Sequence, residues 1–139
     1  MDWVVMALTV YNNTLIAGGG FTTVGGTSAN RIAAWNDSTW TPLGTGVNDL
    51  VRALFVYDNK LIVGGTFETA GGVAVQNIAR WEGAWHAVGS GLRGYELNTL
   101  VVYNGVLIAG GYFTDSNNRN IGSIARWNGT NWTVEKLAN

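Results

Sequence analysis

The chain of 139 residues contains no cysteine. That excludes a disulfide framework, cysteine-ligated zinc and thiol catalysis, and it leaves the redox compartment open. Charge is scarce as well: 12% of the residues are charged and the formal net charge is -1. Such a chain has no basic stripe for nucleic acid or anionic lipid and no acidic tail, so neither nucleic acid nor membrane is expected as a partner. There is one histidine, His86, and the nine carboxylates are scattered. No acid and base pair suggests itself from their spacing, so no catalytic residue is assigned. Long apolar runs are also missing. The longest near the start, Trp3 to Val10, is too short to cross a bilayer and follows Asp2 rather than Lys or Arg, so neither a signal peptide nor an anchor is expected.

What the chain does have is 47% hydrophobic residues, seven Trp and a repeat. This is enough apolar surface for one ordinary domain spanning 1-139. The stretch VYNNTLIAGGGFTTVGG from Val10 to Gly26 returns as VYDNKLIVGGTFETAGG from Val56 to Gly72, and more loosely as VYNGVLIAGGYFTDSNN from Val102 to Asn118. The period is 46 residues, held by Gly18-Gly19, Gly64-Gly65 and Gly110-Gly111, by Phe21, Phe67 and Phe113, and by Trp35, Trp81 and Trp127. A period of this length marks a propeller, solenoid or array.

Each unit reads as four strands, A to D. They fall at 4-11, 14-21, 31-36 and 39-43 in the first unit, at 50-57, 60-67, 77-82 and 84-88 in the second, and at 96-103, 106-113, 123-128 and 131-135 in the third. Strands A and B are separated by Asn12-Asn13, Asp58-Asn59 or Asn104-Gly105, residues that tolerate the positive φ of tight hairpin turns. Apolar residues on both parities imply sheets covered on both faces, and no helical pattern appears. The expected fold is therefore all-β: a β-propeller with three four-stranded antiparallel blades at 4-43, 50-88 and 96-135. A stacked β-solenoid is the alternative, but it does not need tight antiparallel hairpins.

At the paired glycines of strand B and the aromatic positions of strands C and D, the unit resembles the kelch repeat of the galactose oxidase-type propellers. The carriers are Gly18-Gly19 with Trp35 and Trp40, Gly64-Gly65 with Trp81 and Trp85, and Gly110-Gly111 with Trp127 and Trp132. Trp stands where many kelch repeats have Tyr, which with the FTTVGG loop is similar to bacterial-type relatives. The copper chemistry known in that superfamily is not implied, because it needs a Cys-modified Tyr and more than one His. No cofactor is expected. The glycines are expected to let large rings of the next unit lie on the strand B backbone.

Six of the Trp residues recur with the scaffold and read as packing rather than ligand cages. Trp3 differs, since its register partners are Asp49 and Tyr95. In an up-and-down blade the B-C loops (22-30, 68-76, 114-122) share one end with the D-A loops (44-49, 89-95), and this end carries the sequence diversity. Its third B-C loop, TDSNNRNIG, gathers Asp115 and Arg119. The ligand-binding candidates are accordingly Trp3, Asp49, Tyr95, Asp115 and Arg119. Asp115-Ser116-Asn117 offers alternate oxygens, but the Gly and distal Glu of a calcium loop are missing, and no metal site is assigned.

These features imply a non-enzymatic binding or scaffold module. Glycan is one expected ligand class, with Trp3 and Tyr95 as stacking platforms; a protein partner is another. A piece of a larger propeller with no ligand of its own is a further reading. A hydrolase or lyase is the remaining one, hinted at only by Asp49 and Glu96 near the starts of their A strands. Each unit looks whole, yet propellers close with four to eight blades and three cannot close. The expected partner is therefore a second copy, joined through the open faces of units one and three into a six-bladed ring.

Overall fold

The computed structural model describes residues 3-114 and 119-135, and among these there is no helix. Unit one contains β1 (Val5–Tyr11), β2 (Thr14–Gly19), β3 (Thr23–Val24), β4 (Thr27–Ser28), β5 (Ile32–Trp35) and β6 (Trp40–Pro42). Unit two repeats this with β7 (Val51–Tyr57), β8 (Lys60–Gly65), β9 (Thr69–Ala70), β10 (Val73–Ala74), β11 (Ile78–Trp81) and β12 (Trp85–Ala87). Unit three has the longer strands β13 (Gly94–Tyr103), β14 (Val106–Thr114), β15 (Asn120–Trp127) and β16 (Trp132–Glu135). Three four-stranded antiparallel sheets result, ordered β1-β2-β5-β6, β7-β8-β11-β12 and β13-β14-β15-β16. The sheets stack side by side, so the described fold is all-β and propeller-like, and none of them closes on itself.

The first hairpin of each sheet turns where the sequence places it. Asn12 and Asn13 have φ of 51 and 60°, Asp58 and Asn59 of 53 and 60°, and Asn104 and Gly105 of 51 and 77°. A turn with two positive φ values matches the twist of the flanking strands, and short polar residues or Gly tolerate it best. Two further hairpins, β3-β4 and β9-β10, lie inside the B-C loops of units one and two.

Cross-strand pairing fixes which side chains face which neighbour, because paired residues point to the same side of a sheet. One apolar cluster joins Ile16 and Ile32 of unit one to Val51, Leu61, Val63 and Trp85 of unit two. A second joins Ala53, Ile62 and Ile78 of unit two to Leu97, Leu100 and Leu107 of unit three. The first glycine of each strand B pair sits at these seams. A Cβ on Gly18 would meet Val51 and Leu54, and one on Gly64 would meet Leu97. The neighbours are aliphatic rather than the expected rings, because the seam is formed by strand A of the next unit. The second glycines, Gly19 and Gly65, are instead pressed on backbone of their own unit, at Val4 and Leu50.

The rings serve the seams further out. Trp35 and Trp40, Trp81 and Trp85, and Trp127 and Trp132 pair within their units with centroids 5.3, 5.0 and 5.2 Å apart. Trp85 Nε1 donates to the Leu43 carbonyl of unit one at 2.8 Å, and Trp132 Nε1 donates to the Val88 carbonyl of unit two at 3.2 Å. Trp40 Nε1 meets no acceptor among the described residues.

Candidate functional site

The linkers between units gather the B-C loops at one end of the stack. Asn30 Nδ2 donates to Thr45 O at 3.0 Å, and Val47 N donates to Asn30 O at 3.2 Å. On the other side of the same linker, Gly71 N donates to Gly46 O at 2.8 Å and Asn48 Oδ1 accepts from Glu68 N and Thr69 N. The linker from unit two to unit three is held likewise. Asn77, a buried residue at φ 70°, donates from Nδ2 to Leu92 O at 2.9 Å and to Gly94 O at 3.2 Å. Leu92 N donates to Gln76 O at 2.8 Å. The B-C and D-A loops thus share one end, as the unit's topology requires.

Among the clefts at this end, two lie at equivalent positions beside the linkers. The first, between units one and two, has a volume of about 280 Å³ and is lined by backbone and small polar groups of Thr45, Val47, Asn48, Thr69 and Gly71 together with Arg31. The second, between units two and three, has a volume of about 400 Å³ and is lined by Glu68, Gln76, Arg93, Gly94, Tyr95 and Thr114. The two clefts differ because unit three departs from the repeat there. Strand β13 begins earlier than β7, and its pairing with β14 runs Gly94 to Phe113 and Glu96 to Tyr112, with Tyr95 as the unpaired bulge residue.

Of the candidates named from the sequence, Tyr95 lines this cleft and is 75% exposed. Trp3 is 68% exposed and lies on Gly20, where Leu50 also packs. Asp49 is exposed and caps the next amide, Leu50 N, at 2.8 Å. Arg119 is exposed, and Asp115 lies outside the described residues. The structure does not bring Trp3 and Tyr95 into one cavity. Glu96, the other half of the enzymatic hint, is engaged by Arg52 at 3.3 Å and by Asn98 Nδ2 at 3.3 Å. His86 is half-buried on the outer strand β12, across from Arg80. Glu68, Gln76 and Arg93 were not singled out in the sequence, since they belong to separate loops that meet only in the fold.

The repeat, the all-β sheets and their side-by-side stacking define a propeller-like protein. In keeping with this class, residues 58–80 match a family described as a domain of unknown function (DUF5122) beta-propeller. The matched segment runs from the first hairpin turn of unit two through β8 and the small hairpin to β11, and the family is not described as a kelch repeat. The crystal structure of the computationally designed Ika4 protein aligns with 91% of this chain and 92% of that chain at 17% identity and a TM-score of 0.42. No curated protein matches this chain.

Proposed function

We propose that the chain is a non-enzymatic binding module: a kelch-like half-propeller of three blades that closes with a second copy into a six-bladed ring and presents its loop end to ligand. The observation that carries this reading is a difference between equivalent positions. Val51 and Leu97 are fully buried at the two internal seams, whereas their counterpart Val5 is exposed. On the same face Leu8 is 62% and Val10 63% exposed, while Leu100 in unit three is buried. The opposite face of unit three is equally open, with Val101 50% and Tyr103 65% exposed. Among the described residues, a Cβ on Gly110 would meet only Thr99 of its own unit and Ser123 O at 4.0 Å, where Gly18 and Gly64 receive a neighbour's side chain.

These open faces are the two halves of a seam the chain already makes twice. Contiguous apolar patches of this kind mark association surfaces in soluble proteins. Head-to-tail pairing of two copies buries both faces at once through two equivalent interfaces, and together these should exceed the roughly 1,000 Å² a specific contact needs. Six blades fall within the four to eight that close, and nine do not. In the ring, Val5 of one copy takes the place over Gly110 that Leu97 holds over Gly64, and Trp40 Nε1 reaches the carbonyl at the end of the partner copy's third outer strand. The capture of Glu96 by Arg52 supports a binding role over catalysis.

Size exclusion with light scattering tests the reading directly. The expected result is a species of twice the 14.9 kDa chain mass. A monodisperse monomer at micromolar concentration overturns ring closure. The same open faces also suit further units of a longer chain, and in that second reading the isolated chain would associate heterogeneously instead of as a discrete dimer.

A further inference from the structure

We propose that the cleft between units two and three binds a neutral polyhydroxylated ligand, a pyranose ring of a glycan, with Tyr95 as the stacking platform and Arg93, Glu68 and Gln76 as hydrogen-bonding groups. The inference rests on the loop end being the ligand face and does not depend on ring closure, because every lining residue belongs to one chain.

The cleft is where the molecule breaks its own repeat. The linker at 89-95 carries one more residue than its counterpart, and the bulge at Tyr95 takes up the extra position. A bulge leaves its extra residue unpaired, bends the strand and so re-aims that side chain. Gly94 makes this possible, since its φ of 146° disfavours any side chain and a Cβ there would strike the Tyr112 carbonyl. The segment is pinned from below by Asn77 through Leu92 O and Gly94 O, and from the side by Thr114 N donating to Arg93 O at 2.9 Å. An aromatic ring left 75% exposed on a backbone held this firmly is presented rather than merely unburied.

The chemistry of the lining selects the ligand. Arg93 and Glu68 contribute one charge of each sign, and among the described residues neither has an ion-pair partner. The two charges cancel as seen from the cleft, so a phosphorylated or strongly ionic ligand gains nothing net. Their hydrogen-bonding capacity is undiminished: a planar guanidinium with five donors, a carboxylate with two acceptor oxygens, and the Gln76 amide and Thr114 hydroxyl, which do both. Vicinal hydroxyls of a sugar, each donor and acceptor, match such a mixed set. The negative face of the Tyr ring complements the polarised C–H face of a pyranose. A zwitterionic amino acid would meet the same charges in an open, wet site, where exposed ion pairs contribute little. At about 400 Å³ the cleft is at the small end of ligand sites, enough for one or two rings. The first cleft makes the contrast, having no aromatic ring in its lining and an Asn48 amide oxygen already occupied by two backbone amides.

The test is saturation-transfer NMR and calorimetry of the full chain with a panel of neutral methyl pyranosides and, separately, free L-amino acids, each to roughly 10 mM, the weak end of small-ligand affinity. The expected result is saturable binding of at least one pyranoside, weakened at least about tenfold by Tyr95→Ala and by Arg93→Ala, and unchanged by His86→Ala. Retention of that binding in a monomeric Leu8→Glu chain separates this site from ring closure. The proposal is overturned if no pyranoside binds, if Tyr95→Ala leaves binding intact, or if amino acids bind in preference to sugars.

Discussion

The sharpest test of ring closure is to place the same methyl group at two glycines that the repeat makes equivalent. At Gly64 a Cβ falls on Leu97 Cδ2 and within 3.1 Å of Leu97 Cγ and Cδ1. Leu97 is fully buried and has no room to turn aside. Overpacking of this kind costs about 1 to 3 kcal/mol, so Gly64→Ala lowers the melting temperature whatever the oligomeric state. At Gly110 the added Cβ meets, among the described residues, only Thr99 Cγ2 at 2.8 Å and Ser123 O at 4.0 Å, and Thr99 is exposed, so its side chain can give way toward solvent. In a lone chain Gly110→Ala should therefore be near neutral, the shift of Thr99 being offset by the roughly 0.5 to 1 kcal/mol gained through the lost flexibility of the unfolded strand. In the proposed ring the partner copy's Val5 would lie over Gly110, twice per dimer. The cost would become about 2 to 6 kcal/mol of association energy, on the order of 30-fold to 20,000-fold in Kd. Sedimentation equilibrium of parent and both variants, with thermal melts by circular dichroism, reads out the two effects separately. A Gly110→Ala chain that dimerises as tightly as the parent would refute the proposed seam.

Other variants probe neighbouring claims. Leu8→Glu sets a charge in the middle of the open face of unit one and should give a folded monomer by light scattering, with its circular dichroism spectrum unchanged. Trp85→Phe removes the indole bond to Leu43 O and should cost about 1 to 3 kcal/mol in denaturant titration. Trp40→Phe, whose indole has no acceptor within the described chain, loses only ring packing against Trp35 and the unit-one core, so it should cost the monomer less than Trp85→Phe does and in addition weaken the dimer. Asn77→Ala loses two hydrogen bonds to Leu92 O and Gly94 O and places Ala at φ 70°, and should destabilise by about 2 to 5 kcal/mol. Asn77→Gly should recover roughly 1 to 2 kcal/mol of that, because it removes the backbone term alone.

Most of the architecture was legible because the repeat states it three times. Strand A of unit two was expected at 50-57 and runs Val51–Tyr57; strand C was expected at 77-82 and runs Ile78–Trp81. Asn12-Asn13 and its counterparts carried turn geometry in their composition alone. The small hairpins β3-β4 and β9-β10 were missed, although Gly25-Gly26 and Gly71-Gly72 both take positive φ and sit between Val or Ala and a short polar or apolar pair. Such a Gly-Gly turn is itself a hairpin signal. The nature of the seam was misjudged for a different reason. Composition tells that Gly64 admits a close neighbour, but which neighbour depends on the offset between sheets, and that offset put Leu97 there instead of a Trp. The cleft was only half visible. Tyr95 stood out as a break in register, whereas Glu68 and Gln76 look like ordinary loop residues until the fold carries them beside Arg93.

The linker between units one and two has a consequence for how the chain folds. Residues 45-48 bond backward to Asn30 and forward to Thr69 and Gly71, and Val47 bridges to Ala70. Its orphan amides and carbonyls are satisfied only when both flanking sheets are in place. The unit of sequence repetition is therefore not the unit of cooperativity. Where each repeat is stable largely by itself and the interface term is small, repeats can open singly. Here the loss of one sheet strips partners from the next, and native-state hydrogen exchange should show β8 and β11 opening together with β2 and β5 in one global event.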